Sequence, residues 1–279
     1  DGLFIKGQNW GFPPLHPEAI RRQGYRYYIQ CLRHHLRYAG LLRLDHVMGL
    51  HRLYWIPRGF AACEGVYVHH RPDEFYAIVS LESHRHRTQI AGENLGTVPP
   101  YVNAAMARHK MFGLYVGQFG VGADPQNAIS PPPPSAVASL NTHDTATFAG
   151  FWAAGDIRDR MELGLLNEAQ VATEHGYRNA QKDALIRYLR SQGRLSDGEP
   201  DALAVLKAWL CHLSASGAES VLINLEDLWL EALPQNVPGT WEERPNWQHK
   251  ARHGLEAARS MPSLLDILAA VDQTRQSGR

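Results

Sequence analysis

Three short stretches each carry one acid directly after an apolar run: Asp45 in "RLDHVMGL" (43–50), Glu93 in "AGENLGTV" (91–98) and Asp144 in "LNTHDT" (140–145). Taken singly, such an acid is as well explained as a helix N-cap, because a short carboxylate satisfies the unpaired N–H groups of a first helical turn. That alternative is strongest for Asp144, which precedes "TATFAGFW". Three acids at neighbouring strand ends are harder to dismiss. Converging like charges raise a pKa and cost stability, so they usually have a use. Two carboxylates facing one another are what glycoside chemistry requires, one as nucleophile or base and one as acid. Arg43 stands two residues before Asp45, and in a strand that spacing puts both on one face. The pair reads either as a structural ion pair or as an ionised carboxylate kept ionised at the mouth of a site; burial of such a pair is costly unless it is well bonded.

The bulk composition narrows the field. The chain has 279 residues, 28 Lys+Arg against 28 Asp+Glu, and 44% apolar residues. Zero formal net charge argues against an electrostatic footprint for nucleic acid or an anionic membrane, so neither is expected as a partner. The fifteen His are mostly scattered or lie in basic runs such as "ESHRHR", which read as a solvated face. With no HExxH present, no metal site is expected. Three widely spaced cysteines, Cys31, Cys63 and Cys211, suit a reducing compartment rather than a disulfide framework. No signal peptide or membrane-spanning run is visible, so a cytoplasmic location is expected. The chain does not begin with Met and looks cut from something longer.

Apolar runs alternate with helical stretches. "YRYYIQCLRHHLRYAG", "DEFYAIVSLESHRHR" and "PPYVNAAMARHKM" read as helices between the runs "LLRLDHV", "TQIAGENLGTV" and "MFGLYVGQF". "AVASLNTHDT" follows the loop "ISPPPPS", and "VLINLEDLWL" follows a long helical region over about 156–216 that contains the surface loop "SQGRLSDGEPD". The last helix, "PSLLDILAAVDQTRQ", starts with an S-x-x-D that resembles a capping box. This alternation predicts an α/β fold with a parallel sheet. Polar residues gather at the C-terminal ends of four runs, at Asp45, Glu93, Asp144 and then Glu226 and Asp227, which is the polarity of a (β/α) barrel. No glycine-rich phosphate loop follows any run, which argues against a nucleotide-binding doubly wound sheet.

"LLRLDHVMGLHRLYWIP", "AGENLGTVP", "LNTHDT" and "LEDLWLEALPQNVPGTWEERPNW", together with "GQNWGFPPLHPEAI" near the start, resemble the 4-α-glucanotransferases (amylomaltase or disproportionating enzyme) of glycoside hydrolase family 77. The likeness runs over about residues 1–250, with the motifs in the family's order. It implies a (β/α)8 TIM barrel of the α-amylase superfamily and retaining transfer of α-1,4-glucan segments between malto-oligosaccharides. In that resemblance Asp45 matches the nucleophile that forms a covalent glycosyl-enzyme. Glu93 matches the acid/base, and Asp144 the third carboxylate, which holds sugar hydroxyls. Arg43 matches the arginine that keeps Asp45 ionised. His46 and His143 match histidines that bond the donor sugar, and Gln8 and Trp10 match a segment lining the groove. Asn236, Gly239 and Asn246 fall in a loop that helps close the site. Tyr54, Trp55, Trp10, Tyr101, Trp152, Trp241 and Trp247 cluster near these motifs and offer flat faces to sugar rings, while Trp209 reads as core. No cofactor is implied.

Five strands are countable, ending near Asp45, Glu93, Tyr115, Thr142 and Asp227, against the eight that close a barrel. The family's nucleophile lies on the fourth strand. The resemblance therefore implies one catalytic barrel domain over 1–279, a C-terminal portion that is incomplete at its N-terminus, with the missing strands supplied by the rest of a longer chain or absent. Such a chain is expected to be weak or inactive alone. Asp45 and Glu93 are expected about 5–6 Å apart, the retaining separation. Two other readings stand beside this one: a related α-glucan hydrolase or branching enzyme using the same acids, and a non-catalytic glucan-binding fragment.

Overall fold

The computed structural model describes residues 9–277, so Gln8 lies outside the described residues. The chain divides into two compact units, Asp1–Leu114 and Tyr115–Arg279.

The first unit opens with α1 (Pro17–Arg22) and α2 (Arg26–Leu36), followed by β1 (Leu41–Leu44), β2 (Arg52–Trp55), β3 (Val66–His69), α3 (Pro72–His86), β4 (Gln89–Gly92) and α4 (Pro100–Arg108). β1 and β4 are parallel, with Leu44 opposite Gly92, and Phe112 continues the pairing through a parallel bridge to Ala91. α3 shows why its sequence is helical. Pro72 takes the first turn, where its missing N–H costs nothing, Asp73 and Glu74 face the positive N-terminus, and His84, Arg85 and His86 face the negative C-terminus. Its Phe75, Tyr76 and Val79 are buried at helical spacing and form a core with Leu32 and Leu36 of α2, Val47, Ile90, and Val102 and Met106 of α4.

β2 and β3 form an antiparallel hairpin, Tyr54 opposite Tyr67, absent from the expected strand count; seven strands are present among the described residues. In "ESHRHR" His84 and Arg85 are exposed, while Glu82 is 2% exposed. It accepts 2.9 and 2.8 Å hydrogen bonds from Arg33 of α2 and one of 3.0 Å from Arg85, and these partners hold its carboxyl below the usual carboxylate range.

β5 (Gly113–Val116) begins at the end of the first unit and α5 (Gly117–Gly120) follows it; β5, β6 (Ala136–Ser139) and β7 (Ser220–Leu222) form one sheet. β6 and β7 are parallel, Ser139 opposite Leu222. All four residues of β6 are buried, as befits a parallel strand covered on both faces. Between them come α6 (Phe148–Trp152), α7 (Gly155–Glu162), α8 (Glu168–Ser191) and α9 (Ala202–Ser214), and after them α10 (Leu255–Ala258) and α11 (Pro262–Ser277). The expected long helical region is thus broken before α8 as well as at the surface loop. The break is a capping box, in which the Asn167 side chain accepts from Gln170 N and the Gln170 side chain accepts from Asn167 N. Trp209 of α9 is fully buried, as read from the sequence, and packs with Leu185, Leu206, Leu213, Phe148 and Ile267. The capping box expected for α11 is not formed. Ser263 lies inside a helix that starts at Pro262, and Asp266 pairs with Lys207 of α9 at 2.5 Å. No helix among the described residues is long and apolar enough to cross a membrane.

Candidate active site

In the first unit the parallel register brings the two principal acids to adjacent strand ends. Glu93 follows β4 as Asp45 follows β1, and the backbones interlock: Glu93 N donates to Leu44 O at 2.8 Å and Val47 N to Glu93 O at 2.9 Å. The turn after β1 requires His46 in the left-handed region, φ 42°. There its N–H donates to Glu93 Oε2 at 2.9 Å, while Leu95 N donates to Oε1 at 2.7 Å. The Glu93 carboxylate is therefore held by the backbone on either side, in reach of the turn that carries Asp45. Gly92 makes the approach possible, because a Cβ there would lie 2.7 Å from Val47 Cγ2 and 3.0 Å from Met106 Cε.

Arg43 Nη1 meets Asp45 Oδ1 at 2.8 Å, with side chains 36% and 70% exposed. The pair is therefore open to solvent and carries little of the burial cost that a core pair would. His46 stands beside it, edge-on to Trp10 with ring centroids 5.2 Å apart. Burial holds its imidazole below the ordinary histidine range, outweighing the opposing pull of Glu93 and Asp45, so it is neutral at pH 7. Its nitrogens can then both donate and accept, as a sugar hydroxyl requires. Tyr54 lies on the hairpin, its ring 5.1 Å from that of Tyr67 and against Gly65.

The second unit carries the third acid. Asp144 is not a helix cap; Thr147 caps α6, accepting from Gly150 N at 3.1 Å. Instead Asp144 is exposed, with Oδ1 accepting from Asn236 Nδ2 at 2.7 Å and Oδ2 lying 3.1 Å from His143 Nε2. His143 in turn lies 5.4 Å from the ring of Trp247. Asn246 engages both ends of its amide within its own loop: it accepts from Val237 N at 2.9 Å and donates to the Thr240 carbonyl and hydroxyl at 3.1 and 2.9 Å. Gly239, at φ +86°, allows the turn between them. The loop 236–247 is thus braced by Asn246 and touches Asp144 through Asn236.

Trp152 stacks on Phe148 at 5.8 Å and packs, partly buried, against the core cluster of the second unit, and the Trp55 Nε1 is buried. Asp227, which resembles the other strand-end acids in sequence, is 2% exposed. It accepts from Asn141 Nδ2 at 2.8 Å and from Phe148 N at 2.7 Å. Burial nonetheless pushes its carboxyl up to about 6. Sequence reasoning missed Asn141 and Asn94. Asn94, next to Glu93, accepts from Leu114 N and donates to Asn103 Oδ1, both at 2.8 Å, and its signal was its place beside the acid. A cavity of about 230 Å³ in the first unit is lined by Ile20, Tyr25, His70, Arg71 and Phe75 among others and by none of the candidate acids; Asp45 and Asp144 are exposed and Glu93 is half-buried. Among the described residues no cluster of three His, Cys, Asp or Glu could hold a metal ion.

The fold is that of a known class. A crystal structure of amylomaltase from Corynebacterium glutamicum superposes with a TM-score of 0.87 at 26% identity, over 97% of this chain and 41% of that one. An amylomaltase from Streptococcus agalactiae, solved in complex with acarbose, does so with a TM-score of 0.70 at 20% identity, over 96% and 47%. The architecture is therefore the (β/α)-barrel type of those enzymes, of which the chain spans a part. In sequence, the chain is 34% identical to a 4-alpha-glucanotransferase of Haemophilus influenzae over 99% of its own length and 35% identical to one of Mycobacterium bovis over 87%. It spans 40% and 34% of those relatives. The glycoside hydrolase family 77 model, described as 4-alpha-glucanotransferase, matches residues 1–256, and the chain belongs to that family.

Proposed function

We propose that the protein is a 4-α-glucanotransferase, moving α-1,4-glucan segments between malto-oligosaccharides by retaining double displacement. The observation that carries this is the adjacency of Asp45 and Glu93 at the ends of β1 and β4, one acid paired with Arg43 and the other fixed by two backbone N–H groups. Asp45, next to a guanidinium, is the nucleophile: it attacks the anomeric carbon as an anion and forms a glycosyl ester. Glu93 protonates the departing glycosidic oxygen. It then takes the proton from the 4-hydroxyl of the acceptor, whose oxygen displaces Asp45. Asp144 accepts bonds from sugar hydroxyls, oriented by Asn236 and flanked by His143. His46, Trp10 and Tyr54 contribute polar and flat contacts to the sugar, Arg43 serves Asp45, and Asn246 with Gly239 shapes the loop that carries Asn236. Gln8 is assigned to the groove on the resemblance alone. Neither cofactor nor metal enters this scheme. Three unbonded cysteines support the same reading's cytoplasmic placement.

The test is maltotriose incubated with the chain, and with the chain extended at its N-terminus to the length of the relatives. Transfer yields glucose together with maltopentaose, or maltose together with maltotetraose, most strongly in the extended form. Glucose and maltose with no product longer than maltotriose would point to hydrolysis, and no turnover in either form to a binding fragment.

A further inference from the structure

The segment 141–148, which carries His143 and Asp144, is pinned at both ends by one buried side chain. Asp227 Oδ2 accepts from the Asn141 side chain at 2.8 Å, and Oδ1 accepts from Phe148 N at 2.7 Å. Asn141 is itself 3% exposed, and its Oδ1 accepts from Asn224 Nδ2, which fixes the direction of its amide. Within the segment the Thr142 and Thr145 side chains close a local turn, with Thr142 N donating to Thr145 Oγ1 at 3.0 Å and Asp144 N to Thr142 Oγ1 at 3.2 Å. Asp144 ends that turn exposed, its carboxylate met by Asn236 and by His143 of the same segment. Its placement is inherited from the two anchored ends.

We infer that Asp227 is a positioning residue, which holds the 141–148 segment, and with it Asp144 and His143, in the conformation that meets the sugar. The inference rests on the role proposed for Asp144. Asp227 at 2% exposure is itself out of a substrate's reach. A fold that buries a carboxyl among neutral partners accepts a cost, since burial disfavours the charged form. Here that cost is borne where both carboxylate oxygens are needed as acceptors. An asparagine at this position could still accept from Phe148 N, but its amide N–H would then oppose the Asn141 N–H. Flipping Asn141 would transfer the clash to Asn224.

This chemistry supplies its own rescue. In D227N the Asn141 bond is lost, because donor faces donor. In the swapped pair N141D/D227N the new carboxylate accepts from Asn224 and from the amide of residue 227, whose oxygen still accepts from Phe148 N, and every partner is restored with the charge conserved. Two readouts are taken on parent, single and swapped proteins: hydrogen exchange of the amides in 141–148, and maltotriose transfer in whichever form of the protein transfers. D227N should speed exchange in that segment and lower kcat on the order of 10²-fold, the cost of about 1 Å of misplacement, with KM moved less. The swap should slow the exchange again and raise kcat at least about tenfold over the single variant, within the coupling that members of one hydrogen-bond network reach. A folded D227N with unchanged exchange and rate, or a folded swap no better than the single variant, overturns the inference. Should D227N not fold, the swap against the parent decides. If it is folded and protected, the clamp stands; if it is unfolded or as unprotected as the single variant, it does not. Absence of transfer in every form would remove the proposed function, and the exchange data would still judge the clamp.

Discussion

Raising the pH from 4.5 to 7.5 should destabilise the parent protein relative to D227N, because of Asp227 alone. Three influences act on that carboxyl. Burial disfavours its charge most, the bonds from Phe148 N and Asn141 favour it, and the neighbouring Glu226 disfavours it. A hydrogen bond to a charged group is worth about 1.5–3 kcal/mol, while taking an ion out of water costs several kcal/mol. Burial wins, and the carboxyl sits at about 6 instead of 3.8. The folded state therefore binds more protons than the unfolded one between those values. The group's contribution to stability is fully present below about pH 3.8 and is lost as the pH rises through about 6. At about 1.4 kcal/mol per pH unit the whole effect is about 3 kcal/mol, of which about 2 kcal/mol falls between pH 4.5 and 7.5. Depressed carboxyls such as Glu74 and Glu82 act in the opposite sense, so the parent's own curve is not diagnostic. Subtracting D227N, which has no proton to exchange at this position, isolates Asp227. Urea unfolding of both proteins across this range, extrapolated linearly, gives the difference. A difference that is flat, or that grows with pH, would refute the reasoning by showing that the two hydrogen bonds outweigh burial.

Glu93→Gln should lower transfer from maltotriose by about 10²–10⁴-fold yet spare fluoride release from α-maltosyl fluoride, whose leaving group needs no proton; equal loss on both donors would remove Glu93 as the acid. Arg43→Lys should shift unfolding by no more than about 1 kcal/mol, because the pair with Asp45 is exposed. It should still reduce transfer, since a point charge does not replace a planar fork, and a large stability loss with full activity would show a structural pair. Gly92→Ala should cost about 1–3 kcal/mol in urea unfolding, as its Cβ would press on Val47 and Met106. An unchanged midpoint would show that the strand ends are less tightly packed than their distances indicate.

Local spacing made half of the site legible. The two-residue spacing predicts that Arg43 and Asp45 emerge on one face; they pair at 2.8 Å, with Arg43 on β1 and Asp45 in the turn that follows it. Runs alternating with helices predicted parallel pairing, and it occurs at β1–β4 and β6–β7. The β2–β3 hairpin escaped notice because its connection, residues 56–65, is too long to carry the two-residue turn signature that marks a tight hairpin. Pairing of that kind is decided by which distant edges find each other.

Type and position along the chain therefore determined which residues are acids at strand ends and that Trp209 belongs to the core, but not which helices carry a capping box. They could not say what surrounds Asp144 and Asp227, since both are aspartates a few residues beyond an apolar run. Only tertiary structure decides that one stands in solvent beside Asn236 while the other is sealed under Asn141 and Phe148. The physical reason is that a carboxylate's role follows from its solvation and its donors. For these two the side-chain donors, Asn236 for Asp144 and Asn141 for Asp227, arrive from 92 and 86 residues away along the chain, beyond the reach of any local pattern.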